Sequence, residues 1–117
     1  MIQNLVARVF AARNAAHLAH WSTRSYAQHV ALDEFYNDVI GAIDAVVEHW
    51  QGQFGLMGSV EVTPVDNKNM LAVLAEDANW IDENRAEIAN GSAPIENLID
   101  ELANVYQKTL YKLRFLS

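Results

Sequence analysis

Five residues with side chains that can bind a metal ion lie in one stretch of the chain: His20, His29, Asp33, Asp44 and Glu48. His29 with Asp33, and Asp44 with Glu48, are spaced i, i+4, which places both members of a pair on one face of an α-helix. The two pairs are eleven residues apart, about three helical turns, so they face the same way. They are also about 16 Å apart along the axis. One metal ion, with ligand bonds of about 2 Å, cannot reach both pairs on a single helix.

The two pairs can meet if a second copy of the helix runs antiparallel beside the first. With a twofold axis between positions 38 and 39, His29 lies opposite Glu48 of the second copy, and Asp33 lies opposite its Asp44. The pattern therefore predicts a metal site shared between two chains. Carboxylate oxygen combined with imidazole nitrogen suits iron, manganese or zinc better than calcium or copper(I).

Each pair also has an ordinary structural interpretation. His29 and Asp33 could form an i, i+4 hydrogen bond, and Asp44 with Glu48 could be a solvated face. His17 has no carboxylate at a defined spacing and is interpreted as a structural histidine. The chain contains no Glu-x-x-His sequence, which argues against the intrachain di-iron site of ferritin-type bundles.

The elements that position these residues are predicted to be four helices in a single domain, residues 1–117. Ser25 and Asp66 are the predicted N-caps of the second and third helices, and Gly55 and Gly91 are predicted to end them. Apolar periodicity and these signals predict helices at about residues 3–22, 26–54, 67–89 and 94–116. We therefore expect an all-α protein, a four-helix bundle.

The second helix has an apolar seam with alternating steps of four and three residues, which we expect to face the core: Tyr36, Ile40, Ile43, Val47, Trp50 and Phe54. Extended backwards by the same steps, the seam reaches Asp33 and His29. Gly41 lies beside the seam, on the side of Asp44 and Glu48. A small residue there would let two backbones approach closely, which offsets a helix-propensity cost of about 1 kcal/mol.

Composition limits the classes of function. Apolar residues make up 51% of the chain and charged residues 20%, as in ordinary globular proteins. The absence of cysteine excludes disulfides, thiolate zinc sites and iron–sulfur clusters. No apolar run approaches the roughly 18 residues that could span a membrane, and no targeting segment is evident, so the expected location is the cytoplasm. The net charge of −7 argues against nucleic-acid binding.

The stretch HWSTRSYAQHVALDEFYNDVIGAIDAVVEHW contains His-Trp, then His-x-x-x-Asp, then Asp-x-x-x-Glu. In these features it resembles Dps, the miniferritin family of iron-oxidising, cage-forming proteins. The stretch LIDELANVYQKTLYKLR is similar to the last helix of that family. The resemblance implies a ferritin-like bundle with an intersubunit ferroxidase centre, with His20, His29 and Asp33 from one chain and Asp44 and Glu48 from its dyad mate.

The same resemblance implies that Fe(II) is oxidised, preferentially by hydrogen peroxide, and that ferric iron is stored or detoxified. Iron is the expected metal, with zinc or manganese as substitutes. The expected assembly is a homo-oligomer, either a dimer or a dodecameric cage. Two other functions stay open, a non-catalytic helical scaffold or interaction protein and a redox-inert metal-binding bundle.

The sequence departs from the Dps pattern in three places. The interval from His20 to His29 is three residues shorter than usual. The connection at residues 55–66 is too short for the small extra helix usually found there, and the lysine-rich N-terminal arm that binds DNA in some members is missing. The missing arm and the acidic charge argue against DNA binding.

Overall fold

Four α-helices make up the regular structure, which a computed structural model describes over all residues 1–117. They are α1 (Ile2–Ser22), α2 (Tyr26–Phe54), α3 (Met70–Ala89) and α4 (Ala93–Phe115). There are no strands, so the predicted all-α four-helix bundle is confirmed. No helix is both long enough and apolar enough to cross a membrane.

Two of the four predicted capping residues, Ser25 and Gly55, cap their helix in the structure. The Ser25 side chain accepts a hydrogen bond from the backbone N–H of Gln28 at the start of α2. Gly55 ends α2 with a positive φ of 96°, which glycine adopts without a Cβ penalty. At the end of α3 the left-handed capping residue is Asn90, with φ of 49°, one residue before the predicted Gly91.

The predicted start of α3 is wrong. The carboxylate of Asp66 accepts a hydrogen bond from the backbone N–H of Lys68, two residues on, and so stabilises a turn instead of a helix. The helix begins only at Met70, where Asn69 is the N-cap and accepts from the N–H of Ala72.

The helices form a ring in which α1 and α4 each pack against both α2 and α3. Contacts between helix ends fix their directions. The indole N–H of Trp50, near the end of α2, donates to the carbonyl of Ile88, near the end of α3, so these helices run the same way. The connection at residues 55–69 must therefore cross the length of the bundle. It begins near Gln3, which donates to the carbonyl of Met57, and contains no helix.

The core faces of the helices are apolar, but the seam predicted for α2 is displaced by about one residue. Within that seam Tyr36 and Ile43 are buried, Ile40, Val47 and Trp50 are half-buried, and Phe54 is 39% exposed. The buried stripe of α2 is instead Ala31, Leu32, Phe35, Tyr36, Val39, Ile43 and Val46. The predicted seam thus lies at the rim of the core, which leaves apolar side chains of α2 partly in solvent.

Two polar clusters join helices across the bundle. Asp77 of α3 is only 5% exposed and accepts hydrogen bonds from Tyr106 of α4 and Arg8 of α1. On the surface, Arg85 of α3 pairs with Glu96 and Asp100 of α4. Neither cluster includes a predicted metal ligand.

Candidate metal centre

His20 and His29 meet at the corner between α1 and α2. His20 lies in the last turn of α1 and His29 in the first turn of α2, so the three-residue link between the helices brings them together. Their rings stack with centroids 3.6 Å apart and an interplanar angle of 18°. The structure thus brings these two predicted ligands into direct contact.

The two histidines bind each other's backbone. Nδ1 of His20 lies 2.6 Å from the carbonyl oxygen of His29, and Nδ1 of His29 lies 2.7 Å from the carbonyl oxygen of His20. Because a carbonyl oxygen only accepts, each Nδ1 must carry a proton and donate it. In the neutral ring the other nitrogen, Nε2, then has a free lone pair. A backbone carbonyl on one ring nitrogen is a common arrangement for a histidine that binds a metal through the other.

The same contacts have a structural role without any metal. His20 belongs to the last turn of α1, where backbone carbonyls lack intrahelical donors. The ring of His29 supplies a donor to one of these carbonyls. The pair therefore closes the corner between the helices. The i, i+4 hydrogen bond between His29 and Asp33 is not formed, since Nδ1 of His29 is directed to α1 instead.

Asp33 lies one turn after His29 and is half-buried. Its Oδ1 accepts a hydrogen bond of 3.1 Å from the side-chain amide of Asn37. The pKa of the Tyr36 hydroxyl, one turn further along α2, is raised above its ordinary value of 10.0, chiefly by the Asp33 carboxylate.

Asp44 and Glu48 lie further along the same face of α2, and both are exposed. The side chains of these two residues make no hydrogen bond and no ion pair within the chain. Glu34, by contrast, pairs with Lys112 of α4. Asp44 and Glu48 are therefore carboxylates that the fold of one chain leaves without partners.

A single chain does not assemble a complete site. No three histidine, aspartate or glutamate side chains gather closely enough within it to hold a metal ion. His20 and His29 are in contact, Asp33 is one turn away, and Asp44 with Glu48 are about three turns further along α2. The arrangement predicted from the sequence takes its ligands from two chains.

Around the histidine pair the structure adds an aromatic cluster that the sequence analysis did not identify. His17, interpreted as a structural histidine, stacks on Tyr36 at 4.0 Å between centroids and lies 4.6 Å from the indole of Trp21. Tyr36 also meets the ring of His20 edge-on at 5.4 Å. The i, i+3 spacing places His17 with His20 on one face of α1, and Asp33 with Tyr36 on one face of α2, but it does not show that the two faces meet.

Comparison with known proteins gives a family match. Residues 20–113 match the model of DUF5856, which is described as a family of unknown function. No curated protein and no solved structure matches the chain. The matched region begins at His20 and contains all five candidate ligands and most of the bundle. Because this match covers most of the chain, the protein belongs to the DUF5856 family.

Proposed function

We propose that this protein is a Dps-like miniferritin that binds Fe(II) between two chains, oxidises it and stores or detoxifies the ferric product. One half of each site consists of His20, His29 and Asp33 of one chain. The other half consists of Asp44 and Glu48 of a second chain, related by a twofold axis. The active unit is at least a homodimer, and both a dimer and a dodecameric cage would contain this shared site.

The observation that carries the proposal is the hydrogen bonding of the two histidines. Both rings are held by their Nδ1 donors to backbone carbonyls, and both keep Nε2 free. Two fixed imidazoles with free Nε2 atoms, one turn from a carboxylate, fit the nitrogen and oxygen ligands of iron. Zinc and manganese would be held by the same donors.

The surface around Asp44 and Glu48 supports the proposal that a second chain binds there. Both carboxylates are exposed and unpaired, while half-buried Ile40 and Val47 lie beside them on α2. Gly41 lies on the same face, and a Cβ at this position would meet nothing within 4 Å. The fold of one chain therefore gives no reason for a helix-breaking residue here, whereas the close approach of a second helix would.

The connectivity of the bundle supports the same proposal. Two helical hairpins are joined by one long crossover between α2 and α3, and ferritin-like bundles are the bundles with a single such crossover. This argument concerns the fold alone, because one fold hosts many functions.

The proposed reaction uses iron as substrate and hydrogen peroxide as oxidant. Two Fe(II) ions each lose one electron, and one hydrogen peroxide takes up two electrons and two protons to give two water molecules. The protein's contribution is to hold Fe(II) on fixed nitrogen and oxygen donors at a position that the oxidant can reach. Carboxylates favour the ferric product because its charge is higher.

The first experiment adds Fe(II) and then hydrogen peroxide to anaerobic purified protein, and follows ferric absorbance. We expect rapid formation of soluble ferric iron in the parent and its loss in Asp44→Asn/Glu48→Gln. The matched control is Asp82→Asn/Glu87→Gln, which removes the same charge from exposed residues of α3, away from the site and the proposed twofold axis. Equal traces for all three proteins, or precipitation as in buffer, would overturn the proposal.

Mixing two inactive variants tests whether the site is shared. A chain with His20→Ala/His29→Ala and a chain with Asp44→Asn/Glu48→Gln each lack half of every site. In a mixed dimer, one of the two sites is intact. We expect about a quarter of the parental sites after co-refolding at equal amounts, because half of randomly formed dimers are mixed.

The alternative functions give different results in the same assay. A redox-inert metal-binding bundle would bind Zn(II) stoichiometrically through the same five residues and show no ferric product. A non-catalytic scaffold would form the same oligomer without binding either metal.

A further inference from the structure

One end of the bundle is built from the last turns of α1 and α4 and the first turns of α2 and α3. Short links reverse the chain after α1 and after α3, so these four turns lie together. One residue from each of them lines the same cavity: Ala19, Gln28, Met70 and Leu113. We call this region, residues 16–32, 66–73 and 109–117, the aromatic end.

The aromatic end carries the most exposed rings of the protein. All four aromatic side chains that are more than half exposed lie there, each between 55% and 81% exposed: Trp21, Tyr26, Tyr111 and Phe115. Exposed aliphatic side chains of the same end are Leu18, Leu71 and Leu116. All four helices therefore contribute to an apolar surface that the fold of one chain leaves uncovered.

The aromatic end is basic although the chain is acidic. It contains four of the 8 Lys and Arg residues and one of the 15 Asp and Glu residues, Asp66, which gives a formal charge of +3. The remaining residues hold four cations and fourteen anions, a formal charge of −10. Lys112 pairs with Glu34. The other three cations of the end are exposed and form no ion pair within the chain: Arg24, Lys68 and Arg114.

Exposed rings combined with cations are typical of surfaces that bind an anionic membrane. Trp and Tyr favour the level of the lipid headgroups, because their rings are apolar and carry one polar group. Binding strength depends on the apolar area buried and on the attraction between cations and anionic lipids. The acidic residues along the bundle oppose this attraction only weakly. The bundle is 44 Å long, whereas charges are screened over about 8 Å at physiological salt.

The same surface is less suited to single-stranded nucleic acid, which binds along a basic groove beside aromatic rings. Lys68 is the only charged residue that lines the cavity of this end. A strand that continued beyond the end would follow a surface with a net charge of −10. A flat lipid surface touches the basic end without meeting the acidic sides.

We propose that the aromatic end is a docking site for the surface of an anionic lipid bilayer. Trp21 and Tyr26 enter the headgroup layer, while Arg24, Lys68 and Arg114 contact the anionic headgroups. The bundle then stands end-on, with its acidic sides in water. This docking does not depend on metal binding.

The test is co-sedimentation of the full-length protein with sucrose-loaded vesicles in buffer that contains a metal chelator. We expect binding to vesicles of equal parts phosphatidylserine and phosphatidylcholine, and at least about tenfold weaker binding to phosphatidylcholine alone. Each cation near an anionic surface strengthens binding about fivefold. The variant Arg24→Gln/Lys68→Gln/Arg114→Gln should therefore bind anionic vesicles about 100-fold more weakly.

A matched pair of variants tests the contribution of the rings. Trp21→Ser/Tyr26→Ser should lose at least about tenfold in affinity for the anionic vesicles. Phe54→Ser/Leu56→Ser removes exposed apolar side chains at the opposite end of the bundle and should leave the affinity unchanged.

Fluorescence of the parent provides a measurement that does not depend on a destabilised variant. Trp21 is exposed, whereas Trp50 and Trp80 are half-buried and lie outside the aromatic end. We expect anionic vesicles with brominated acyl chains to quench part of the tryptophan emission. In Trp21→Phe, which keeps an aromatic ring, the quenching should be absent although the protein still binds.

Three results would overturn the proposal. The first is equal binding to both kinds of vesicle, or equal binding of the parent and the charge variant. The second is tighter binding to a single-stranded oligonucleotide than to anionic vesicles, which would make the end a nucleic-acid site. The third is self-association without lipid that is lost in Trp21→Ser/Tyr26→Ser, which would show that a second copy of the chain covers the end.

Discussion

The hydroxyl of Tyr106 donates a 3.0 Å hydrogen bond to Oδ2 of Asp77 in the interior of the bundle. The other carboxylate oxygen accepts from Arg8 at 3.1 Å, whose guanidinium also lies 4.9 Å from the centroid of Trp80. The three hydrogen-bonded residues come from α1, α3 and α4. This cluster joins the α1–α2 hairpin to the α3–α4 hairpin through polar groups.

Removal of the Tyr106 hydroxyl should destabilise the protein. In Tyr106→Phe one oxygen of a buried carboxylate loses its donor, and a buried polar group without a partner costs about 1–3 kcal/mol. We expect a loss of this size in the free energy of unfolding, measured by urea denaturation. The control is Tyr111→Phe, which removes a hydroxyl from a side chain that is 55% exposed and should change stability by less than about 0.5 kcal/mol. Equal stabilities for both variants would contradict the structural role of the pair.

Asp77 should also give a distinctive dependence of stability on pH. Burial raises the pKa of Asp77 above the ordinary value of 3.8, against opposing hydrogen bonds from Tyr106 and Arg8. The native state therefore holds this proton more tightly than the unfolded state does. As the pH rises from 3.8 through the raised pKa, the native state loses stability from this group.

The Asp77→Asn variant lacks this titration. We expect the free energy of unfolding of the parent to decline relative to that of the variant as the pH rises above 3.8. Urea unfolding of both proteins at a series of pH values measures the difference. If the parent instead gains stability relative to Asp77→Asn as the pH rises, the pKa of Asp77 is lowered in the native state and the prediction is wrong.

The stacked histidines should be coupled energetically even without metal. Stacked aromatic pairs contribute about 0.5–1.5 kcal/mol beyond burial of their area. We expect a coupling energy of this size from a double-mutant cycle of His20→Ala and His29→Ala in buffer with a metal chelator. A parallel cycle of His20→Ala with His49→Ala should give no coupling, since His49 is exposed near the other end of α2. Purely additive effects in the first cycle would contradict the observed geometry.

Gly41 tests the proposed interface between chains. It lies about 4 Å along α2 from the predicted twofold axis, while Gly52 lies about 20 Å from it. Both are exposed helical glycines at which a Cβ meets nothing within 4 Å. We expect Gly41→Leu to weaken dimerisation at least tenfold, about 1.4 kcal/mol, by sedimentation equilibrium, and Gly52→Leu to leave it unchanged.

Substitution by alanine separates helix propensity from the interface. For an isolated chain, Gly41→Ala and Gly52→Ala should each raise the free energy of unfolding by up to about 1 kcal/mol. A parent protein that stays monomeric at every concentration, or dimers unaffected by Gly41→Leu, would contradict the shared site.

The architecture followed from the sequence because its signals are local. Ser25 and Gly55 bound α2 as predicted, since a cap depends only on a few neighbouring residues. The core face of α2 was not predicted correctly from the sequence. Both the predicted seam and the stripe through Phe35, Val39 and Val46 repeat every three or four residues, and periodicity alone cannot decide which one α1 and α4 cover.

The candidate site was predictable to the extent that it depends on spacing along one helix. His29, Asp33, Asp44 and Glu48 share a face of α2 because of their numbers in the chain. The reciprocal contacts of His20 and His29, and the position of Tyr36 between α1 and α2, depend on how two helices pack. They could not be read from either helix alone.

The crossover between α2 and α3 has a consequence for how this family can vary. Residues 58–65 make no hydrogen bond within the chain and are mostly exposed, and the candidate ligands all lie on α1 and α2. Insertions and deletions are tolerated best where exposed backbone has no partners. Relatives can therefore lengthen or shorten this segment, and acquire new surface features there, while the ligand-bearing hairpin stays unchanged.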